Sequence, residues 1–491
     1  MNRNRRASLL AALLVTSSVA CHEFHLDFTR GTGGEIVLFD DLYSVSVVDD
    51  KHAVAVGYYG AAYYTNDGGD SWSQGRTDTQ ISLYGVDMGD VNRGWAVGQR
   101  GLILRTEDGG ATWQRQSNLK EDEGTHLFAV TAIDGMRALA IGEWGTRLST
   151  ADGGKTWVDE SFLVDVNHPQ FIWLSLDEQE RVREGKKVYE DVTLNDVYCL
   201  GAPSTRCWLI GEFGYIFYSE DEGKTWLPSD IEGSVEMTPM TVPFNTLEVR
   251  EADKAALREF AQGIVNDLHL NVAIESFASD EEIRRFGGAD DPTELFEILE
   301  ARAQDVRSVV ENAGIDGARI RLRGQPPWDY EDYLDDDPDF LKRYLDSRRD
   351  ETGGMRIRVI QNPILFSVRF RDENHGLIAG LGGVVLRTDD GGKHWAYSKI
   401  DRKQALFGVG QLDSGRSLAV GEKGLVRVSP DWGRNWQEPM PGEFPELFTF
   451  MRDIAFDPSG RVGFIVGQTG QIMRSKDAGF EWKTVLPPPR V

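Results

Sequence analysis

Residues 94–113 read GWAVGQRGLILRTEDGGATW, and the fold can be read outward from this string. Trp95, Ala96 and Val97 form a short apolar strand closed by Gly98. Two residues later Gly101 opens a second strand, Leu102 to Thr106. Two glycines three apart between apolar runs are a tight turn, because glycine reaches backbone angles that other residues resist. The string ends in TEDGGATW, Thr106 to Trp113. Here the Asp108 carboxylate can accept hydrogen bonds from nearby backbone amides and close a second turn. Trp113 can bury a large ring beneath it.

The ending recurs. Ser/Thr-x-Asp-x-Gly-x-x-Trp occurs seven times, with its aspartates at Asp67, Asp108, Asp152, Asp221, Asp390, Asp431 and Asp477. Each copy follows a Gly-x-x-Gly turn. Each is preceded by a run such as Leu83-Tyr-Gly-Val-Asp87 or Leu406-Phe-Gly-Val-Gly410. One unit therefore holds four strands: A, the Leu-aromatic-x-Val run; B, ending at the first glycine; C, after the second; and D, from the tryptophan. Four strands per roughly 40 residues describe a propeller blade. The fold expected is mainly β, a seven-bladed β-propeller whose repeated aspartates are structural.

The tryptophans stand at 72, 113, 157, 226, 395, 436 and 482. The intervals 157–226 and 226–395 exceed the rest, and both additions fall between a D strand and the next A strand. The organisation read from this is blades 1–4 over 40–236 with a short insertion near 160–190, an inserted domain over 237–361, and blades 5–7 over 362–488. D–A and B–C connections leave a blade on the same side, so both insertions rise from the face that carries the Gly-x-x-Gly turns. In the long insertion, Val242 and Phe244 alternate as a strand. Leu257 to Leu268, and Leu295 to Val310, keep helical spacing. The order expected is β-α-β-α-β-β, a small α+β domain.

Residues 1–21 stand apart from the fold. Arg3, Arg5 and Arg6 precede a short apolar run, and Ser18-Val19-Ala20-Cys21 ends it. This is a signal peptide, and its end resembles the bacterial lipoprotein cleavage box, with Cys21 the lipidated residue. Signal-peptidase cleavage nearby is the plain alternative. His22 in place of aspartate favours the outer membrane of a two-membrane cell. Cys199 and Cys207 are then the remaining cysteines. An oxidising compartment permits a disulfide between them, and two small buried hydrophobes are the other reading. A formal net charge of −26 excludes nucleic acid as a partner, since phosphate binding needs a basic face. No metal-ligand spacing, nucleophile motif or phosphate loop occurs, and no cofactor is expected.

The repeats are of the Asp-box (BNR) kind, and the string GWAVGQRGLILRTEDGGATW resembles the photosystem II assembly and stability factors. The resemblance runs from about Leu42 to Trp482 outside the two insertions. It implies a seven-bladed propeller and an assembly factor that contacts membrane-protein subunits, without implying photosynthesis. Within the insertion, EARAQDVRSVVENAGIDGARIRLRG resembles the OmpA-like peptidoglycan-binding domain, with Arg302-Ala303 matching the family's Arg-Ala. That resemblance implies a clamp on wall peptide by Arg302 and an aspartate. Here the strand ends in Ser276-Phe277-Ala278-Ser279, and Asp280 stands one step later. The alternative is a retained fold used for protein contact.

The candidate partner-binding residues lie on the Gly-x-x-Gly turns: Tyr58, Tyr59, Arg100, Glu143, Trp144, Glu212, Phe213, Glu422 and Lys423. Aromatic residues on tight turns, accompanied by cations, have the composition of interface hot spots. The function expected is that of a non-catalytic envelope lipoprotein, periplasmic and membrane-anchored, that binds a membrane protein complex as scaffold or assembly factor. A peptidoglycan tether is one alternative. An Asp-box glycoside hydrolase is another, because Glu143, Glu212 and Glu422 occupy equivalent turns and could face each other across a cleft. Against it, Gln99 and Gln468 share that repeat position.

Overall fold

Seven antiparallel sheets carry the seven repeats. The structure, a computed structural model, describes residues 40–485 except 167–173, 175, 233–247, 267–269, 288–290, 324–325, 327–339, 351–352, 362, 399 and 401–402. The signal segment with Cys21, and the expected strand at Val242 and Phe244, lie outside the described residues. The chain divides into two compact units. One, the propeller, runs to residue 168 and continues over 187–230 and from 365 onward; the other comprises 169–186 and 231–364.

The innermost strands of the propeller are Leu42–Val47, Leu83–Met88, Leu127–Ala132, Leu194–Cys199, Leu365–Phe370, Leu406–Gln411 and Met451–Phe456. Each packs beside the next round the ring, and the last packs beside the first, so the ring closes. Blade 2 shows the pattern: Leu83–Met88, Gly94–Gly98, Ile103–Thr106 and Gln114–Gln116, hydrogen-bonded in that order. Strand B is buried along its whole length in every blade, packed between two neighbouring sheets. Blade 6 departs from expectation in having three strands. Its fourth is reduced to Gln437, which exchanges two backbone bonds of 2.9 Å with Val428. Pro439 and Pro441 follow, and proline cannot donate to a ladder.

In each Asp-box turn the aspartate is consumed locally. Asp108 accepts from Thr106 Oγ1 at 3.0 Å, from Thr112 N at 2.8 Å and from Thr112 Oγ1 at 2.6 Å. The Thr106 hydroxyl in turn accepts from Gly110 N at 2.9 Å. The bonds from the hydroxyl and from the backbone N–H recur about Asp67, Asp152, Asp221, Asp390, Asp431 and Asp477, and the third recurs at all but Asp477, where Glu481 has no side-chain donor. They outweigh the cost of partial burial and hold all seven carboxyls below the usual range, Asp67 at about 2. Gly110 has φ +93°, and a Cβ there would come within 3.0 Å of Val54 in the preceding blade. The turn thus also sets the blade-to-blade distance.

An innermost strand is an edge strand, and its free N–H groups need acceptors. Side chains of the preceding blade supply them. Ser44 and Ser46 accept from Val86 N and Met88 N, Asp87 from Ala132 N, Thr131 from Cys199 N, Asp196 from Val368 N and Asp453 from Val45 N. Cys199 and Cys207 face each other on strands A and B of blade 4 and are joined by a disulfide.

In the second unit a three-stranded sheet runs Ile320–Arg323, Leu270–Phe277, Gly354–Gln361. The central strand is parallel to the first and antiparallel to the last. Helices Glu251–Ile264 and Thr293–Asn312 bury Leu257, Ala261, Val306 and Val310 against Val272, Ile274 and Ile357. Two further helices fall outside the expected order. Asp280–Phe286 is started by Ser279, whose hydroxyl accepts from Glu282 N at 3.2 Å while Glu282 accepts from Ser279 N at 2.9 Å, a capping box. Phe340–Ser347 separates the last two strands and buries Leu341 and Leu345 beside Phe296. In the short insertion the charged segment is also helical, over Leu176–Arg183.

Candidate functional site

The Gly-x-x-Gly turns share one backbone. The second intervening residue has a left-handed φ in every blade: Tyr59 57°, Arg100 57°, Trp144 57°, Phe213 57°, Gly382 71°, Lys423 53° and Thr469 57°. That conformation costs a residue with a side chain about 1–2 kcal/mol. Six of the seven copies bear the cost, three with an aromatic ring, and the rings of Tyr59, Trp144 and Phe213 are exposed. Strain held at a repeated exposed position is the mark of a site that uses the side chain. Arg100 and Lys423 are exposed on the turns of blades 2 and 6.

The D–A connections add to the same face. Leu119, Leu163, Val166, Met440 and Phe448 are exposed on them, and Phe448 reaches 79%. The opposite turns expose fewer large apolar residues, Val91, Met136 and Phe480. The exposed apolar surface of the propeller is therefore concentrated on one side.

Sequence reasoning missed a second ring on this side. In every blade the ladder between strands A and B slips after the first residue of strand A, as between Leu42 and Ser44 or Leu83 and Gly85. The skipped residue is a bulge, which re-aims its side chain. The bulge residues are Tyr43, Tyr84, Phe128, Asn195, Phe366, Phe407 and Arg452, all half-buried. Rings of adjacent blades touch: Tyr43–Tyr84 at 5.8 Å, Tyr84–Phe128 at 5.7 Å and Phe366–Phe407 at 5.4 Å between centroids. Arg452 lies 4.9 Å over Phe407 and 5.3 Å over Phe450. An aromatic collar thus surrounds the inner strands at the end nearest the Gly-x-x-Gly turns. The repeated Leu-aromatic pair was its sequence signal.

The turn glutamates have a different role. Glu143 accepts from His126 N at 3.1 Å and Glu422 from Ala405 N at 3.4 Å, while Gln468 accepts likewise from Phe450 N at 3.4 Å. Glu212 takes bonds from the backbone and side chain of Thr193. Burial, and then Asp191 and Glu143 nearby, raise the Glu212 carboxyl above its usual range. Each of these groups caps the start of strand A in its own blade, which a glutamine does equally well.

Arg302 and Asp280 are not brought together. Arg302 is 1% exposed, and its guanidinium meets Glu282 Oε1 at 2.5 Å and Phe277 O at 3.4 Å. Asp280 faces Arg349 at 3.5 Å. The carboxylate that meets Arg302 is that of Glu282, itself 1% exposed. Among the described residues no cluster of His, Cys, Asp or Glu is arranged to hold a metal ion, and no helix is long and apolar enough to cross a membrane.

The ring, the seven Asp-box turns and the strained turns define an Asp-box β-propeller. The family described as Photosynthesis system II assembly factor YCF48 matches residues 71–163 and 352–446. The photosystem II assembly lipoprotein Ycf48 of Synechococcus sp. (strain CC9902) is 30% identical over 130 residues, 25% of this chain and 36% of that protein. The match thus spans about a third of the relative's length. Two solved structures are also similar. One is YCF48 bound to D1 peptide, with 15% identity, TM-score 0.47, and 89% and 92% of the two chains covered. The other is YCF48 from Cyanidioschyzon merolae, with 13% identity, TM-score 0.48, and 89% and 96% covered. Over these stretches the chain is similar to the photosystem II assembly factors of the BNR kind.

Proposed function

We propose that the protein is a non-catalytic envelope lipoprotein, anchored through Cys21 on the periplasmic side, whose propeller binds a membrane protein complex as scaffold or assembly factor. The observation that carries this reading is the set of exposed aromatic residues held on left-handed turns of one face, above the aromatic collar. A fold gains nothing from strained, exposed rings; a partner that buries them does. The cyanobacterial relative is by its name an assembly lipoprotein, which supports both the role and the anchor. Outer-membrane residence rests on His22.

Two observations weigh against the alternatives. The pairing of Arg302 with Glu282 inside the core leaves no open clamp for wall peptide. Glu143, Glu212 and Glu422 each cap strand A of their own blade, a role that Gln468 fills without a carboxylate. Crosslinking and affinity purification from native membranes test the reading. The wild type is expected to recover a membrane protein that the Tyr58→Ser/Trp144→Ser/Phe213→Ser variant loses. Equal recovery by both would remove this face from the interface.

A further inference from the structure

The propeller chain leaves its ring twice for the other unit, over residues 169–186 between blades 3 and 4 and over residues 231–364 between blades 4 and 5. The boundary of blades 4 and 5 is thus one seam without a short covalent link. Blades 7 and 1, the last and the first in chain order, meet at another. Charged groups of the inner strands stand at both of these seams. Asp196 in blade 4 accepts from Arg369 Nη1 in blade 5 at 2.6 Å, across the first seam. Asp453 in blade 7 accepts from Ser44 Oγ at 3.1 Å and Val45 N at 3.0 Å in blade 1, across the second. The same guanidinium reaches Asp453 through Nη2 at 3.4 Å. Blade 6, between them, has Gly408 and Gly410 on its inner strand and carries no side chain at those positions.

We propose that Arg369, Asp196 and Asp453 form a clasp that holds blades 4, 5, 7 and 1 together across these two seams, and that the clasp is proton-sensitive, loosening as the pH rises from mildly acid to mildly alkaline.

The charge count of the inner ring points this way. At the third and fifth positions of the inner strands, Asp87, Asp196, Tyr198, Arg369 and Asp453 are the titratable groups; the other positions hold serine, threonine, glycine or alanine. Three carboxylates thus share one cation. Burial pushes Asp196 up to about 6 against the attraction of Arg369, and raises Asp87 and Asp453 as well. A carboxyl raised in the folded state favours the closed ring where it is protonated. That advantage is lost as the pH climbs through the folded value. For Asp196 alone, seam opening should become about tenfold more frequent between pH 5 and pH 8. The Asp-box aspartates act in the opposite sense, since their lowered values weaken the fold only below about pH 4.

Hydrogen exchange of the wild-type protein tests this, read by mass spectrometry and corrected for intrinsic rates. Between pH 5 and pH 8, protection is expected to fall about tenfold in segments 194–199 and 365–370 at one seam and 42–47 and 451–456 at the other. Segment 406–411, in blade 6 away from both seams and without a carboxylate, serves as reference and should hold. In Asp196→Asn the fall at the first seam should vanish. If that variant does not fold, Asp453→Asn gives the same reading at the second seam. Equal change in the seams and the reference, or protection that rises with pH, overturns the proposal.

Discussion

Each blade has two tight turns, and the two faces use them differently. On the Asp-box face the hydroxyl, aspartate, glycine and tryptophan of the box return in all seven copies and are bonded or packed inward; the residue after the aspartate, also left-handed, is glycine in four copies and the half-buried Glu222, Trp432 and Ala478 in the others. On the opposite face the backbone returns as faithfully, but the residue at the left-handed position changes from Tyr59 to Arg100, Trp144, Phe213, Gly382, Lys423 and Thr469. Glycine would fit all seven without strain, and blade 5 alone has it. The difference teaches how to separate scaffold from site within a repeat. A residue that is repeated and bonded inward builds the ring. A residue that varies at a strained, exposed position is held there for something outside it.

Three substitutions can break or sharpen this contrast. The largest effect belongs to the scaffold. Trp395 is fully buried, with its indole N–H bonded to Gly392 O at 3.1 Å. Trp395→Ala should cost about 3–5 kcal/mol in chemical denaturation. A loss below 1 kcal/mol would mean that the box tryptophans do not carry the blades. Next comes the strained position. Tyr59→Gly, Trp144→Gly and Phe213→Gly should each stabilise the propeller by up to about 1 kcal/mol while weakening partner capture. Destabilisation would show that these rings serve the fold. The smallest effect is expected at the caps. Glu143→Gln preserves the acceptor for His126 N, so the unfolding midpoint should stay within about 0.5 kcal/mol of wild type. A clear loss would give the carboxylate a role beyond capping.

The ring was legible in the sequence because its determinants are local. Asp108, Gly110 and Trp113 lie within six residues and state both the turn and what covers it. The strained turn was legible for the same reason, through the spacing of Gly98 and Gly101. The aromatic collar was not. In the run Leu83-Tyr84-Gly85 the tyrosine reads only as part of strand A, and the slip in the ladder, set by pairing with strand B, is what makes it a bulge residue facing the rings of its neighbours. Blade 6 lost its fourth strand to Pro439 and Pro441, which follow a repeat that otherwise looks complete. In the insertion, Arg302 was visible but its partner was not. Glu282 precedes it by twenty residues on a helix that the expected order did not contain. Burial of that pair is a tertiary fact that spacing does not reveal.

The insertion leaves and re-enters the ring on a single blade. Asp230 donates its N–H to Lys393 O on the outer strand of blade 5, at 2.9 Å, and Leu365 begins the inner strand of that same blade. Four strand spacings, on the order of 20 Å, separate the two points, a gap that six or seven extended residues would cross. Blade 5 therefore holds both ends of this excursion, and a linker of that length in place of residues 232–364 would leave the strands of blade 5 paired as they are.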